Sequence, residues 1–180
     1  MAGIIDINEG RRRVAAKKGF APWSRRFSIS FNENTSIRRL DNSVIGYLVR
    51  GGEDSAMALY ELIMATKGLG PGMRFDYLDS ESKMYVTDIT LFLLDLLRFE
   101  AMYRLGWLDE YAFLSVPLVD LIANFKDQFS ALRNSAPVLS QSHPLYRQYL
   151  AEYEGDRNVF LRKLIPEAIK TFCDNALQLE

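Results

Sequence analysis

The sequence predicts a mainly α fold: a single-domain bundle of six or seven helices around a buried central helix at about residues 85–105, preceded by an extended or short β-like N-terminal arm. Three observations predict it. From Val86 to Leu105, thirteen of twenty residues are apolar and they surround the helical wheel, the pattern of a helix enclosed by others. Caps and breakers recur at helix-length intervals from Asp41 to Pro166, with apolar positions at helical spacing between them. With 48% apolar and 25% charged residues, 180 residues suit one globular domain, which buries roughly 70% of the surface its unfolded chain exposes.

The arm comes first, over residues 1–35, with the helical domain over 36–180. Ile4, Ile5 and Ile7 form an apolar run without helical period, and Gly19 and Pro22 interrupt any helix begun at Arg11, so residues 8–25 are expected to be irregular. Arg26 to Phe31 alternates so that Phe27, Ile29 and Phe31 share one face of a strand. Asp41 caps a short helix stopped by Gly51 and Gly52, and Asp54 starts a helix ending at Gly68. Gly68, Gly70, Pro71 and Gly72 form a connector before the central helix; without a following Lys-Ser/Thr they lack the pattern of a phosphate loop. Gly106 stops the central helix and Asp109 offers a fresh cap. Pro117 then opens a helix whose stripe runs Leu118, Leu121, Ile122, Phe125, Phe129 and Leu132. Ser142 and Pro144 restart helix up to Gly155, Asp156 caps another, and Pro166 opens the last.

The net charge of -1 hides an asymmetry. Residues 1–50 hold ten basic side chains against four acidic ones, a surplus of six, which leaves -7 for the remainder. Such a basic segment meets nucleic acid, an acidic protein surface, lipid head groups, or the acidic body of its own fold or of a second copy. Its candidate anion-binding residues are Arg11, Arg12, Arg13, Lys17, Lys18, Arg25 and Arg26. Phe20, Trp23, Phe27 and Phe31 interleave with them, either as stacking platforms for single-stranded nucleic acid or as anchors onto a core.

Several chemistries are disfavoured. One cysteine, Cys173, forms no internal bridge, and with one histidine it supplies too few soft ligands for a structural zinc site; no metal or cofactor is expected, and the thiol suits a reducing cytoplasm. Asp95, Arg98 and Glu100 inside the central helix would each cost about 2.5 to 3.5 kcal/mol in a bilayer, so no membrane span is expected. Asp6 and Glu9 argue against a secretory leader, and Asn32, Glu33 and Asn34 follow Arg25-Arg26 where a twin-arginine signal needs an apolar run.

Candidate sites remain. Asp88 and Asp95 lie seven residues apart on one helix face, a conceivable acid pair with Arg98; the alternative places Asp88 near the helix start, favouring its dipole, and pairs Asp95 with Arg98. His143 is a conceivable general base or a turn cap. Trp23, Phe27, Tyr146, Tyr149 and Tyr153 are candidate partner-binding aromatics. Together these predict a non-enzymatic interaction or adaptor protein, a homo-oligomer or one bound to another protein, which uses the basic arm and the aromatic C-terminal helices. The alternatives are a nucleic-acid-binding protein using Arg11–Arg39 and a small hydrolase or lyase at Asp88/Asp95.

Overall fold

The computed structural model describes residues 7–133 and 135–177. Its helices are, in chain order, α1 (Ile7–Phe27), α2 (Asn42–Val49), α3 (Glu53–Lys67), α4 (Ser80–Arg104), α5 (Leu118–Ala123), α6 (Phe125–Arg133), α7 (Tyr146–Ala151) and α8 (Glu154–Leu177). Short 3-10 turns occupy Ile37–Arg39, Gly72–Tyr77 and Ala112–Ser115. Among the described residues there is no strand, only isolated bridges between Ser36 and Pro117 and between Leu108 and Leu139. The mainly α bundle is therefore as predicted.

Central helix α4 begins earlier than its apolar run. The Asp79 carboxylate accepts from the Ser82 backbone N–H at 2.8 Å and its hydroxyl at 2.9 Å, occupying donors that the first helical turn leaves open. Ile89, Leu93, Leu96, Leu97 and Met102 are buried against α2, α3 and α8. Burial is not complete around the helix, because Met84, Asp88 and Leu91 form an exposed stripe.

The N-terminal arm is the principal correction. Residues 8–25 are not irregular and no strand forms at Arg26–Phe31; Ile7–Phe27 is one helix, ended by Ser28 in the left-handed region at φ 54°. Pro22 does remove a helical donor, leaving the Lys18 carbonyl without its i+4 partner. Tertiary packing offsets that cost, because Phe20 and Trp23 are buried against α3 and the Trp23 indole N–H donates to the Ala58 carbonyl at 2.7 Å. Phe27, Ile29 and Phe31 still turn towards the core, but from a helix end and a loop. Ile4 and Ile5 lie outside the described residues.

Three smaller differences share that physics. Gly155 and Pro166 do not separate helices: both lie within α8, whose Leu161, Ile165, Ala168 and Phe172 are buried. The stripe from Leu118 to Leu132 is divided at Asn124 into α5 and α6. Asp109 caps no helix; its N–H donates to the Val138 carbonyl at 2.9 Å beside the Leu108–Leu139 bridge.

Candidate protein-interaction groove

Helices α1 and α3 run antiparallel, since Gly19 meets Leu62 while Trp23 reaches Ala58. At their crossing a Cβ on Gly19 would stand 2.8 Å from Leu62 Cδ1 and 3.3 Å from the Leu62 carbonyl oxygen. Glycine there lets the two backbones approach closely. The far wall is the Gly68–Gly72 connector. Gly68 and Gly70 take φ values of 70° and 90°, and Gly72 sits so near α3 that a Cβ would fall 2.7 Å from the Glu61 nitrogen. Phe75 stacks on Tyr60 with centroids 4.1 Å apart, fixing the following turn to α3.

Between these walls lies a cavity of about 690 Å³, floored by Pro22, Met57 and Ala65, with Lys18 and Arg25 on its α1 side. A second, more open hollow of about 680 Å³ shares Lys18, Ala65 and Gly68 with it and continues past Val14 and Arg11 to Ile7. The two form one groove along the α1–α3 seam.

The fold sorts the basic residues into two groups. Arg12 holds Asp120 of α5 through Nε at 2.6 Å and a second nitrogen at 2.8 Å, and the same guanidinium donates to the Glu33 carbonyl at 3.2 Å. The Asp120 hydrogen bond raises the Arg12 pKa, partly opposed by burial. Arg13 pairs with Glu9 and with Glu33, and Arg26 with Glu61 at 2.9 Å and the Tyr47 hydroxyl at 3.1 Å. These cations neutralise acids of their own fold. Arg11, Lys17, Lys18 and Arg25 are exposed and have no ion pair among the described residues. Three of those four, Arg11, Lys18 and Arg25, recur every seven residues on the groove side of α1, about 10.5 Å apart along its axis.

The other sequence candidates are placed as follows. Trp23 is 0% exposed and Phe20 is buried, so neither presents a face to a base or a partner; Phe27 is half-buried, edge-on to Trp23 and Tyr47. Tyr149 is buried against Phe160, Tyr146 is half-buried, and only Tyr153 is freely exposed. Asp88 lies in the third turn of α4, not near its start, and faces solvent. Asp95 takes Arg98 at 3.6 Å and Arg162 of α8 at 2.8 Å. Neither aspartate lines the groove, and they share no partner, so the geometry lends nothing to a paired-carboxylate reaction. His143 Nδ1 accepts the Leu145 N–H at 3.1 Å and its ring lies edge-on to Trp107 at 4.9 Å. Burial lowers the imidazole pKa, with Glu167 acting in the opposite sense.

One charged cluster was not singled out from the sequence, where only its i,i+4 half, Glu100 with Arg104, carries a local signal. Glu100 is 0% exposed inside α4, gripped by Arg38 Nε at 2.9 Å and Arg104 Nε at 2.7 Å. Arg38 stacks over the Tyr103 ring at 3.8 Å, while Arg104 also donates to the Leu40 and Arg38 carbonyls at 2.7 and 3.2 Å. The cluster ties the Ile37–Arg39 turn to α4 and has no opening for a ligand among the cavities above. Cys173 is buried in the core, its sulfur 3.9 Å from the Gly46 carbonyl oxygen.

Among the described residues, no group of three histidine, cysteine, aspartate or glutamate side chains is placed to hold a metal ion, and no helix is long and apolar enough to cross a membrane. Comparison with protein-family models, curated proteins and solved structures returned no match.

Proposed function

We propose that this chain is a non-catalytic helical interaction module whose α1–α3 groove receives an acidic helix with one apolar face. A single observation carries the proposal: Arg11, Lys18 and Arg25 stand unpaired among the described residues at seven-residue intervals over an apolar floor. A helix laid along the seam would bury its apolar residues on Met57 and Ala65, and carboxylates at the same period would meet the three cations. The groove spans α1 from Ile7 to Arg25, so it suits a partner helix of about five turns. Free Cys173 suits a cytoplasmic setting, where thiols stay reduced.

Nucleic acid is the weaker alternative, because among the aromatic rings that would stack on bases Phe20 and Trp23 are buried, Phe27 and Phe31 are half-buried against other rings, and Arg12, Arg13 and Arg26 are already paired. Calorimetric titration separates the two. A synthetic amphipathic peptide with glutamate at every seventh position should bind the wild-type protein and lose at least about tenfold in affinity to the Arg11→Glu/Lys18→Glu/Arg25→Glu variant. Equal binding to both proteins would overturn the groove. Binding of mixed-sequence single-stranded RNA in place of the peptide would favour the alternative.

A further inference from the structure

The exposed stripe of α4 carries the same repeat as α1 with the opposite sign. Glu81 and Asp88 are exposed, seven residues apart, and without an ion pair among the described residues. Met84 and Leu91, also seven apart, are 68% and 56% exposed on the same face. On α1 the matching positions are basic Arg11, Lys18 and Arg25, beside exposed Ile7 and Val14. On each helix an apolar residue precedes a charged one by four positions: Ile7 before Arg11, Val14 before Lys18, Met84 before Asp88. Both helices rise about 10.5 Å per seven residues, so charges brought into register at one position stay in register at the next.

We infer that the helix received by the α1–α3 groove is α4 of a second copy of this chain. The inference rests on the groove reading above and names its occupant. Charge complementarity selects that occupant, since two acids unneutralised by their own fold are matched in period to cations left equally free. Apolar complementarity agrees: Met84 and Leu91 are large apolar side chains in solvent on an otherwise well-buried helix, and the groove floor offers Met57, Ala65 and Pro22. Because the interface joins two different faces, it is head-to-tail. A pair joined by one such contact retains one free groove and one free α4 stripe, so assembly continues into a ring or an open chain.

Two variants separate the faces. In Lys18→Glu/Arg25→Glu the groove is spoiled and α4 is intact; in Glu81→Lys/Asp88→Lys the reverse holds. All four side chains are exposed, and circular dichroism checks that both variants keep the wild-type helix content. By sedimentation equilibrium, wild-type protein should gain mass with concentration and lose at least about tenfold in association constant when salt is raised from 0.05 to about 0.5 M. Each variant alone should remain at the monomer mass of 20.6 kDa. Their equimolar mixture should regain mass with concentration as wild type does, because the intact groove of one variant meets the intact stripe of the other and the two reversed faces are again opposite in charge. A wild-type chain that stays monomeric at all concentrations overturns the inference, as does self-association of either variant at wild-type strength. If wild type stays monomeric while the acidic peptide still binds, the groove reading survives and only its occupant is wrong; if the peptide fails as well, both fall.

Discussion

Gly19 of α1 and Leu62 of α3 touch so closely that a β-carbon on the glycine would lie 2.8 Å from Leu62 Cδ1. This crossing sets the depth of the groove, because it determines how near the basic face of α1 comes to α3. Gly19→Ala sets two effects against each other. The substitution gains up to about 1 kcal/mol of helix propensity, while forcing a carbon into a filled seam costs about 1 to 3 kcal/mol. Leu62 is fully buried and has little room to yield, so the clash should win. Urea denaturation should show a net loss of roughly 1 kcal/mol; a more stable variant would mean that the helices are further apart.

Gly72→Ala should act on the opposite wall. Its new carbon would meet the backbone nitrogen and Cα of Glu61 at 2.7 and 2.9 Å, atoms that cannot rotate aside. The connector must then lift from α3. Peptide affinity measured by calorimetry should fall by about tenfold, with a stability loss of about 1 to 3 kcal/mol by urea denaturation. Unchanged affinity would remove the connector from the site.

Glu100→Ala tests the buried cluster. Removing the carboxylate leaves the half-buried Arg38 and Arg104 facing one another without it. Breaking a buried ionic group by deleting one member costs about 3 to 5 kcal/mol. Thermal and urea unfolding should both register it. A loss below roughly 1 kcal/mol would place the cluster among weak surface pairs.

His143 gives a pH dependence of definite sign. Burial holds its imidazole below the ordinary 6.5, so between that value and the folded one the unfolded chain binds more protons than the native chain. Its stabilising contribution is present above the unfolded value and is lost as pH falls through the folded one. His143→Asn keeps an acceptor for the Leu145 N–H but does not titrate in this range. Comparing unfolding free energies at about pH 7.5 and pH 5, the wild type should lose more stability on acidification than the variant. An equal loss would show that the imidazole titrates alike in the folded and unfolded chains.

Helices α2, α3 and α4 were legible because left-handed glycines and apolar period agree there: Gly68 ends α3 as its position implies, and Asp95 pairs with Arg98 at the spacing a helix allows. The expected caps fared less well, since Asp54 lies inside α3 behind Gly52 and the Asp41 side chain makes no capping hydrogen bond. Helix α1 was not legible, because Gly19 and Pro22 are helix breakers by local preference. In this fold Gly19 serves the crossing with Leu62, and Pro22 floors the groove. Local rules weigh a residue against its neighbours in sequence, whereas these two answer to residues some forty positions away. With α1 taken for an arm, the seven-residue period of Arg11, Lys18 and Arg25 had no geometric meaning and read only as surplus charge. The cluster at Glu100 was hidden in the same way: Arg104 lies one turn away, but Arg38 is 62 residues distant in sequence.

The most direct test of the account is to map the binding surface residue by residue. Two-dimensional amide NMR of the labelled Glu81→Lys/Asp88→Lys variant, which keeps the groove and does not self-associate, titrated with the acidic amphipathic peptide, should show shifts confined to Ile7–Arg25, to Met57–Ala65 and to the Gly68–Met73 connector. Shifts centred instead on Tyr146–Tyr153, on Arg39 and Arg50, or absent at saturating peptide would contradict it.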